Sequence, residues 1–181
     1  NLPCGLKSLK FGKYFNQSID NLPCGLQELT FFDGDYGGKF NQPVDNLPSG
    51  LLNLTFGFYF NQPVDNLPEG LQNLTFGRHF NYPVDNLPSG LQNLTFGSNF
   101  TQTLSDLPSG LKSLTSGFSF NQKVDKLPSG LQSLTFGNEF NQPVDNLPSG
   151  LLSLTFGYCG HFNKPVDNLP CGLLSLTFGF C

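Results

Sequence analysis

The chain repeats itself every 20 residues. The unit is Leu-Pro-x-Gly-Leu-x-x-Leu-Thr-Phe-Gly-x-x-Phe-Asn-Gln-Pro-Val-Asp-Asn, and nine copies of its Leu-Pro pair occur within 181 residues. The leucines that open the copies are Leu2, Leu22, Leu47, Leu67, Leu87, Leu107, Leu127, Leu147 and Leu169. Self-similarity at this period is typical of stacked solenoid coils, because each coil is too small to fold alone. The sequence therefore predicts one elongated domain over residues 1–181, with insertions near 32–38 and 159–161.

Turn and strand residues divide each copy into a corner, a strand and a return segment. Pro48 and Gly50 suit the second and fourth positions of a type I turn. Leu54-Thr55-Phe56 alternates inward and outward as a short strand does, and Gly57 ends it. The proline of the return segment, such as Pro63, excludes a regular helix there. We therefore predict an all-β, right-handed β-solenoid of about nine rungs, with one short parallel strand each and little or no α-helix.

Two sets of residues are expected to hold the rungs together. Six apolar side chains per rung are predicted to point inward; in the third copy and the start of the fourth they are Leu51, Leu54, Phe56, Phe60, Val64 and Leu67. An asparagine follows the second phenylalanine in seven copies, and Thr101 replaces it in an eighth. These asparagines are predicted to form a buried ladder, bonding to one another and to the turn backbone, because repeated bends leave peptide groups that need partners. They are Asn16, Asn41, Asn61, Asn81, Asn121, Asn141 and Asn163.

A family resemblance rests on the same residues. Phe-Asn-Gln-Pro-Val stands at Phe40 to Val44, Phe60 to Val64 and Phe140 to Val144, and Leu-x-x-Leu-Thr-Phe-Gly leads into such segments. The pattern resembles the FNIP repeat family over essentially the whole chain. The resemblance implies a leucine-rich-repeat-like solenoid without catalytic residues, which some members join to an F-box that delivers bound partners for ubiquitination.

The copies differ most at the two positions after the strand glycine, which we call the variable stripe. Both insertions fall in this segment, the second at Gly160-His161. The stripe pairs are Lys13-Tyr14, Phe58-Tyr59, Arg78-His79, Ser98-Asn99, Phe118-Ser119, Asn138-Glu139 and Tyr158-Cys159. Aromatic and Arg side chains are enriched where proteins bind proteins, so we predict a protein-binding surface; the alternative is that these are solvent positions that vary freely. Its predicted residues are Tyr14, Phe58, Tyr59, Arg78, His79, Phe118, Glu139, Tyr158 and His161.

The outward face of the strands is regular instead. One column holds Ser8, Asn53, Asn73, Asn93, Ser113, Ser133, Ser153 and Ser175, and the other holds Thr30, Thr55, Thr75, Thr95, Thr115, Thr135, Thr155 and Thr177. Such an uncharged array, repeating at about 4.8 Å, suits a regular partner, so the alternative function is ice binding or self-assembly into filaments. The simpler interpretation is that threonine favours strands and that recent duplication keeps the columns uniform.

Asp and Cys residues also recur in columns. Asp20, Asp45, Asp65, Asp85, Asp125, Asp145 and Asp167 form an acidic column, expected to make local Asx-turn bonds, with cation binding as the alternative. Cys4 and Cys24 share one column on successive rungs, and Cys159 and Cys181 share another. Such pairs are close enough for disulfides, which would imply an extracellular location. The alternative is free thiols, and the working expectation is a cytoplasmic protein.

Composition narrows the function further. The formal charge of −4 and the lack of a Lys/Arg cluster argue against nucleic-acid binding. No apolar run is long enough to span a membrane. The two histidines, His79 and His161, cannot be placed beside a nucleophile and an orienting acid. We therefore expect a non-enzymatic scaffold without metal or cofactor, whose partner is a protein of unknown identity, and whose exposed sheet edges favour end-to-end self-association.

Overall fold

A computed structural model of the chain describes residues 2–32, 34, 37–158 and 160–179. It contains one nine-stranded sheet in which every strand pairs in parallel with the next in the chain. The strands are β1 (Ser8–Phe11), β2 (Glu28–Phe31), β3 (Asn53–Thr55), β4 (Asn73–Thr75), β5 (Asn93–Thr95), β6 (Ser113–Thr115), β7 (Ser133–Thr135), β8 (Ser153–Thr155) and β9 (Ser175–Thr177). The predicted all-β solenoid is confirmed, and the described residues form no helix.

Equivalent residues of successive copies lie directly beside one another in the sheet. Leu54 pairs with Leu74, and Leu74 pairs with Leu94. This register follows from the period, because a slip by one residue would turn the inward leucines towards solvent. Each rung therefore repeats the same side chain in the same place, and the columns inferred from the sequence are columns in space.

The six predicted core residues of the third copy and the start of the fourth are all buried. The leucine of the Leu-Pro pair is only partly buried in other rungs, as at Leu107 and Leu127. Two columns of phenylalanine rings run along the solenoid. Phe56 stacks on Phe60 of its own rung, with ring centroids 3.7 Å apart, and on Phe76 of the next rung at 5.6 Å. The last described strand lacks a following rung, and its Leu176 is 41% exposed where Leu154 of β8 is fully buried. Burial is thus shared between neighbours, as expected for a solenoid.

Ser116 interrupts one of these ring columns. It stands where neighbouring copies have Phe96 and Phe136, and it is the one buried polar residue of the described chain. Its Oγ accepts a hydrogen bond from the N–H of Gly137 at 3.2 Å. The hydroxyl is therefore satisfied, and the sixth rung has one core ring fewer than its neighbours.

The asparagine ladder exists, with a geometry that differs from the prediction. The Oδ1 of Asn41 accepts a hydrogen bond from the backbone N–H of Asn61 at 2.8 Å, and the Oδ1 of Asn61 accepts one from the N–H of Asn81 at 2.9 Å. The side chains are partly buried or exposed, because each amide reaches along the surface to the next rung. The ladder thus supplies acceptors for return-segment N–H groups, and no direct bond joins successive amides of this column in the described residues.

The corner turn lies one residue later than predicted. Its hydrogen bond runs from the N–H of Leu51 to the C=O of Pro48 at 3.1 Å, so Ser49 and Gly50 are the central residues. The turn predicted from Leu47 to Gly50 was wrong by one position. Leu51 points into the core, and its N–H is satisfied only by closing the turn on Pro48.

Candidate protein-binding surface

The variable stripe begins where each strand glycine passes close to the glycine of the neighbouring rung. A methyl group built on Gly97 would overlap the carbonyl group of Gly77. The chain then turns, and the N–H of Phe100 donates to the C=O of Gly97 at 3.3 Å. Glycine is needed here for close backbone approach, and the turn between it and the next phenylalanine presents two residues of every rung to the outside.

Hydrogen bonds between rungs keep the stripe in register. The N–H of His79 donates to the C=O of Phe58 at 3.0 Å, and the N–H of Asn99 donates to the C=O of Arg78 at 2.9 Å. The same bond recurs at Tyr59, Ser119 and Glu139. The backbone of the stripe is therefore as regular as the strands, while its side chains change from rung to rung.

The backbone hydrogen bond between stripe residues of successive rungs also shows which residues of the two longer copies occupy the stripe. In the second rung, the N–H of Lys39 donates to the C=O of Lys13 at 2.8 Å, and Gly38 takes the first stripe position with a φ of 67°. In the eighth rung, the N–H of His161 donates to the C=O of Asn138 at 2.8 Å. Gly160-His161 is thus not the inserted pair but the one in register. Tyr158 lies outside the two stripe columns beside them, 72% exposed.

Four side chains of the third and fourth rungs form one cluster. The ring centroids of Tyr59 and His79 are 5.2 Å apart and nearly parallel, and Phe58 meets both rings edge-on at 4.8 and 5.0 Å. The guanidinium of Arg78 lies 5.6 Å from the centroid of Phe58, which is cation–π distance. Tyr59 remains 48% exposed. The cluster is an aromatic and cationic patch whose side chains contact one another and that is partly open to solvent.

A second exposed ring stands at the amino-terminal end of the stripe. Tyr14 is 75% exposed, and the ammonium groups of Lys13 and Lys39 lie 5.8 and 5.5 Å from its ring centroid. Lys39 is not among the predicted stripe residues, because counting forward from the strand glycine places the insertion at the stripe positions of this rung. Counting back from Phe40-Asn41 identifies Lys39 as a stripe residue. The return segment that follows the stripe is in register here, since the N–H of Asn41 donates to the Oδ1 of Asn16.

The carboxy-terminal half of the stripe is more polar. Phe118 is 48% exposed between Ser98 and Asn138, its counterparts in the neighbouring rungs. The Nδ1 of His161 lies 3.3 Å from the Oε2 of Glu139, and the two form an ion pair when the histidine is protonated. Apart from Tyr158, the predicted stripe residues therefore lie in two columns along the solenoid, in a larger amino-terminal patch and a smaller carboxy-terminal one.

The regular outer face is also assembled as predicted. Its threonines are in register, and those from Thr30 to Thr155 are half-buried whereas Thr177 is exposed. Asn73 and Asn93 each donate from Nδ2 to the Oδ1 of the preceding asparagine, at 2.5 and 2.6 Å. The register places Lys10 and Glu28 in the same two columns. The array is thus uncharged from β3 onwards and charged at β1 and β2.

The acidic column is bridged between rungs, which neither interpretation anticipated. The Oδ1 of Asp45 accepts a hydrogen bond from the Nδ2 of Asn66 on the next rung at 2.9 Å, and the same bond recurs along most of the column. At Asp20, the bonds from Asn46 and Ser18 lower the pKa of the carboxyl below its ordinary value. Asn66 follows Asp45 by 21 residues, which is one period of 20 plus one residue, so the stacking of successive rungs brings the two side chains together.

Cys4, Cys24 and Cys171 are free thiols in the structure, so the disulfide considered between Cys4 and Cys24 is not formed there. The pair Cys159 and Cys181 lies outside the described residues. Within the described part of the chain, no three His, Cys, Asp or Glu side chains come together as metal ligands. No helix there has the length and apolarity needed to cross a membrane.

Comparisons with known proteins agree with this architecture. The model of the FNIP repeat matches residues 1–33, 63–99, 83–119 and 120–159. Among solved structures, the crystal structure of CroV588, described as a novel circular LRR protein structure, is similar with a TM-score of 0.53 and 32% sequence identity. The similarity covers 98% of this chain and 37% of that one, so this chain spans little more than a third of CroV588. No protein of curated function matches the chain.

Proposed function

Because this chain belongs to the FNIP repeat family, we propose that it is a non-catalytic scaffold that binds a protein partner through the variable stripe. A repeat solenoid is a fold typical of protein-interaction scaffolds. The observation that supports the stripe as the binding surface is the contrast between a backbone held in register by hydrogen bonds and side chains that differ in every rung. A partner of irregular shape can be recognised only by a surface that is itself irregular.

The cluster of Phe58, Tyr59, Arg78 and His79 is the centre of the proposed surface. Tyr and Arg are the residues most often found at energetic hot spots of interfaces. Their stacking contacts restrict their rotamers before binding, so less side-chain entropy is lost when a partner docks. Tyr14 and Phe118 lie on the same corner and extend the surface along the solenoid axis.

The test is a triple variant, Tyr59→Ser with Arg78→Ser and Phe118→Ser. Serine already occupies the stripe in the fifth and sixth rungs, so the variant is expected to fold. The immobilised protein is used to capture partners from extracts, and captured proteins are quantified against wild type. The proposal requires a specific set of partners to be lost from the triple variant.

A matched control removes three exposed side chains elsewhere: Glu69→Ser, Tyr82→Gln and Leu152→Gln. Glu69→Ser and Tyr82→Gln restore the residue found at their positions in most other copies, and Leu152→Gln introduces the residue that is commonest at its position. The control should retain the partners that the stripe variant loses. If the stripe variant captures the same proteins as wild type, or if the control loses them equally, the stripe is not the binding surface.

The regular outer face supports a second candidate, recognition of a periodic surface such as ice or self-assembly. The favouring observation is the unbroken parallel register of the threonine column from Thr30 to Thr177. The double variant Thr75→Tyr and Thr95→Tyr would place two large side chains in the middle of the threonine column and interrupt its regular surface. Ice grown in the wild-type protein should then be faceted and ice grown in the variant should form smooth discs; smooth discs with both proteins remove ice binding from consideration.

A further inference from the structure

Departures from the repeat gather on the return segments of the fifth and sixth rungs. Three other copies read Asn-Gln-Pro-Val-Asp-Asn over this stretch, whereas residues 101–106 read Thr-Gln-Thr-Leu-Ser-Asp. In the sixth rung, Lys123 replaces the proline and Lys126 replaces the last asparagine. Five of the six framework positions are thus changed in one or both of two adjacent rungs, and none of them belongs to the variable stripe.

These departures line a cleft. Its volume is about 410 Å³, within the range of small-ligand sites. The polar residues that line it include Thr103, Ser105, Gln122, Lys123 and Lys126. The cleft exists where the regular surface of the solenoid is interrupted.

The two lysines have no partner among the residues that the structure describes. In an ordinary rung, the asparagine at the position of Lys126 donates to the aspartate of the preceding rung, but here that residue is Ser105. Neither Lys123 nor Lys126 makes a hydrogen bond or ion pair with any residue that the structure describes. The one carboxylate on the cleft wall, Asp125, accepts a hydrogen bond from Asn146 at 3.2 Å.

The backbone of this region also gains donors. Proline has no N–H, so Thr103 and Lys123 each add one where most other rungs have none. In the described structure neither N–H donates a hydrogen bond to another residue. The two rungs therefore carry two ammonium groups, two hydroxyls and two backbone N–H groups, all able to donate, in a chain whose net charge is −4.

We propose that this cleft binds a phosphate group. Lysine ammonium groups act on phosphate as point charges, and hydroxyl and backbone donors complete the coordination of its oxygens. The phosphate belongs either to a free small molecule or to a phosphorylated side chain of a protein. Since no residue of the variable stripe lines the cleft, this proposal stands or falls independently of the proposed function.

The experiment is an NMR titration of the whole chain with inorganic phosphate, with a phosphoserine peptide, and with the same peptide carrying glutamate. The test variant, Lys123→Pro with Lys126→Asn, restores the sequence of the regular rungs and should fold as they do. Lys112→Gln is the control, since it also removes a surface lysine of the sixth rung in favour of the residue common at that position. The test variant should bind phosphate at least about tenfold more weakly, since two charge-assisted contacts are lost, and the control should bind as wild type does.

The outcomes separate the ligand sources. Equal affinity for inorganic phosphate and the phosphoserine peptide indicates a free phosphate ligand, and tighter binding of the peptide indicates a phosphorylated protein. Absence of shifts at residues 103–126 with millimolar phosphate overturns the proposal, as does unchanged binding by the test variant. Binding of the glutamate peptide as tightly as the phosphoserine peptide overturns the assignment to phosphate.

Discussion

Replacing Gly97 by alanine tests whether rung-to-rung contact requires the strand glycine. A methyl group at this position would overlap the carbonyl group of Gly77 and lie 2.8 Å from the Cα of Arg78, both backbone atoms that cannot rotate away. Gly97 does not have a left-handed φ, so alanine is compatible with its backbone conformation. The cost therefore comes from sterics alone: the fourth and fifth rungs must separate by about 1 Å to restore van der Waals contact.

The magnitude follows from the bonds that such a separation stretches. Three hydrogen bonds join these two rungs around Gly97: Phe76 N–H to Thr95 O, Asn99 N–H to Arg78 O, and Thr101 N–H to Asn81 Oδ1, each 2.9 Å. At a net value of about 1 kcal/mol each, their loss destabilises the protein by roughly 3 kcal/mol. Loosened stacking of Phe76 on Phe96 and of Phe80 on Phe100 adds to this.

The assay is the free energy of unfolding from urea denaturation, with Gly70→Ala as the matched control. A methyl group on Gly70 meets nothing nearer than the backbone oxygen of Ser49 at 3.8 Å. Because alanine also reduces the entropy of the unfolded chain, this variant should change stability by less than about 1 kcal/mol, in the stabilising direction. The steric explanation is refuted if Gly97→Ala unfolds at the wild-type urea concentration, or if Gly70→Ala is destabilised as much.

Three further predictions concern single columns of the solenoid. Ser116→Phe should raise the free energy of unfolding by about 1 to 2 kcal/mol in urea denaturation, because it completes a buried ring column. A free energy of unfolding below that of wild type would mean that the rung cannot accommodate the ring. Asn81→Ala should lower the free energy of unfolding by about 2 kcal/mol and speed hydrogen exchange at Thr101, because the N–H and hydroxyl of Thr101 both bond to Asn81 Oδ1. An unchanged exchange rate at Thr101 would contradict this. Asn46→Ala should raise the pKa of Asp20 towards 3.8 in an NMR titration, since the bond from Asn46 is the main cause of its lowering. With that bond present, the stabilisation exists above the unfolded pKa and is lost as the pH falls through the folded pKa. The bond from Ser18 remains in the variant, so the assignment is refuted if the pKa of Asp20 is as low in the variant as in wild type.

Much of the fold followed from the sequence because the period determines which residues are neighbours. Leu54, Phe56 and Phe60 were predicted to be buried, and each is at most 1% exposed. The alternation of the strand and the proline of the return segment were sufficient for this, since both act within one copy. The parallel register of the sheet then follows directly from the equal length of most copies.

The details that sequence analysis missed are those that depend on offsets between neighbouring rungs. Asp45 bonds to Asn66, one period and one residue away, and a column of identical residues gives no sign of that diagonal. Gly160-His161 was assigned to an insertion, whereas the hydrogen bond from His161 to Asn138 puts it in register. A periodic sequence defines columns, but the atoms that face each other across two rungs depend on the twist and backbone path.

In a repeat chain, residues that are the same in every rung report on packing, whereas residues that differ from the repeat can report on function. A framework residue such as Phe60 or Gly97 is repeated because the next rung packs on it, so its presence says little about function. A residue that breaks the framework must be tolerated by both neighbouring rungs, and this is harder when several changes occur together. Ser105 and Lys126 change the same inter-rung contact from both sides, removing the carboxylate and the amide that bridge other rungs. A specific ligand site in a repeat solenoid is therefore expected where such paired changes occur, and not at the columns whose residue is the same in every rung.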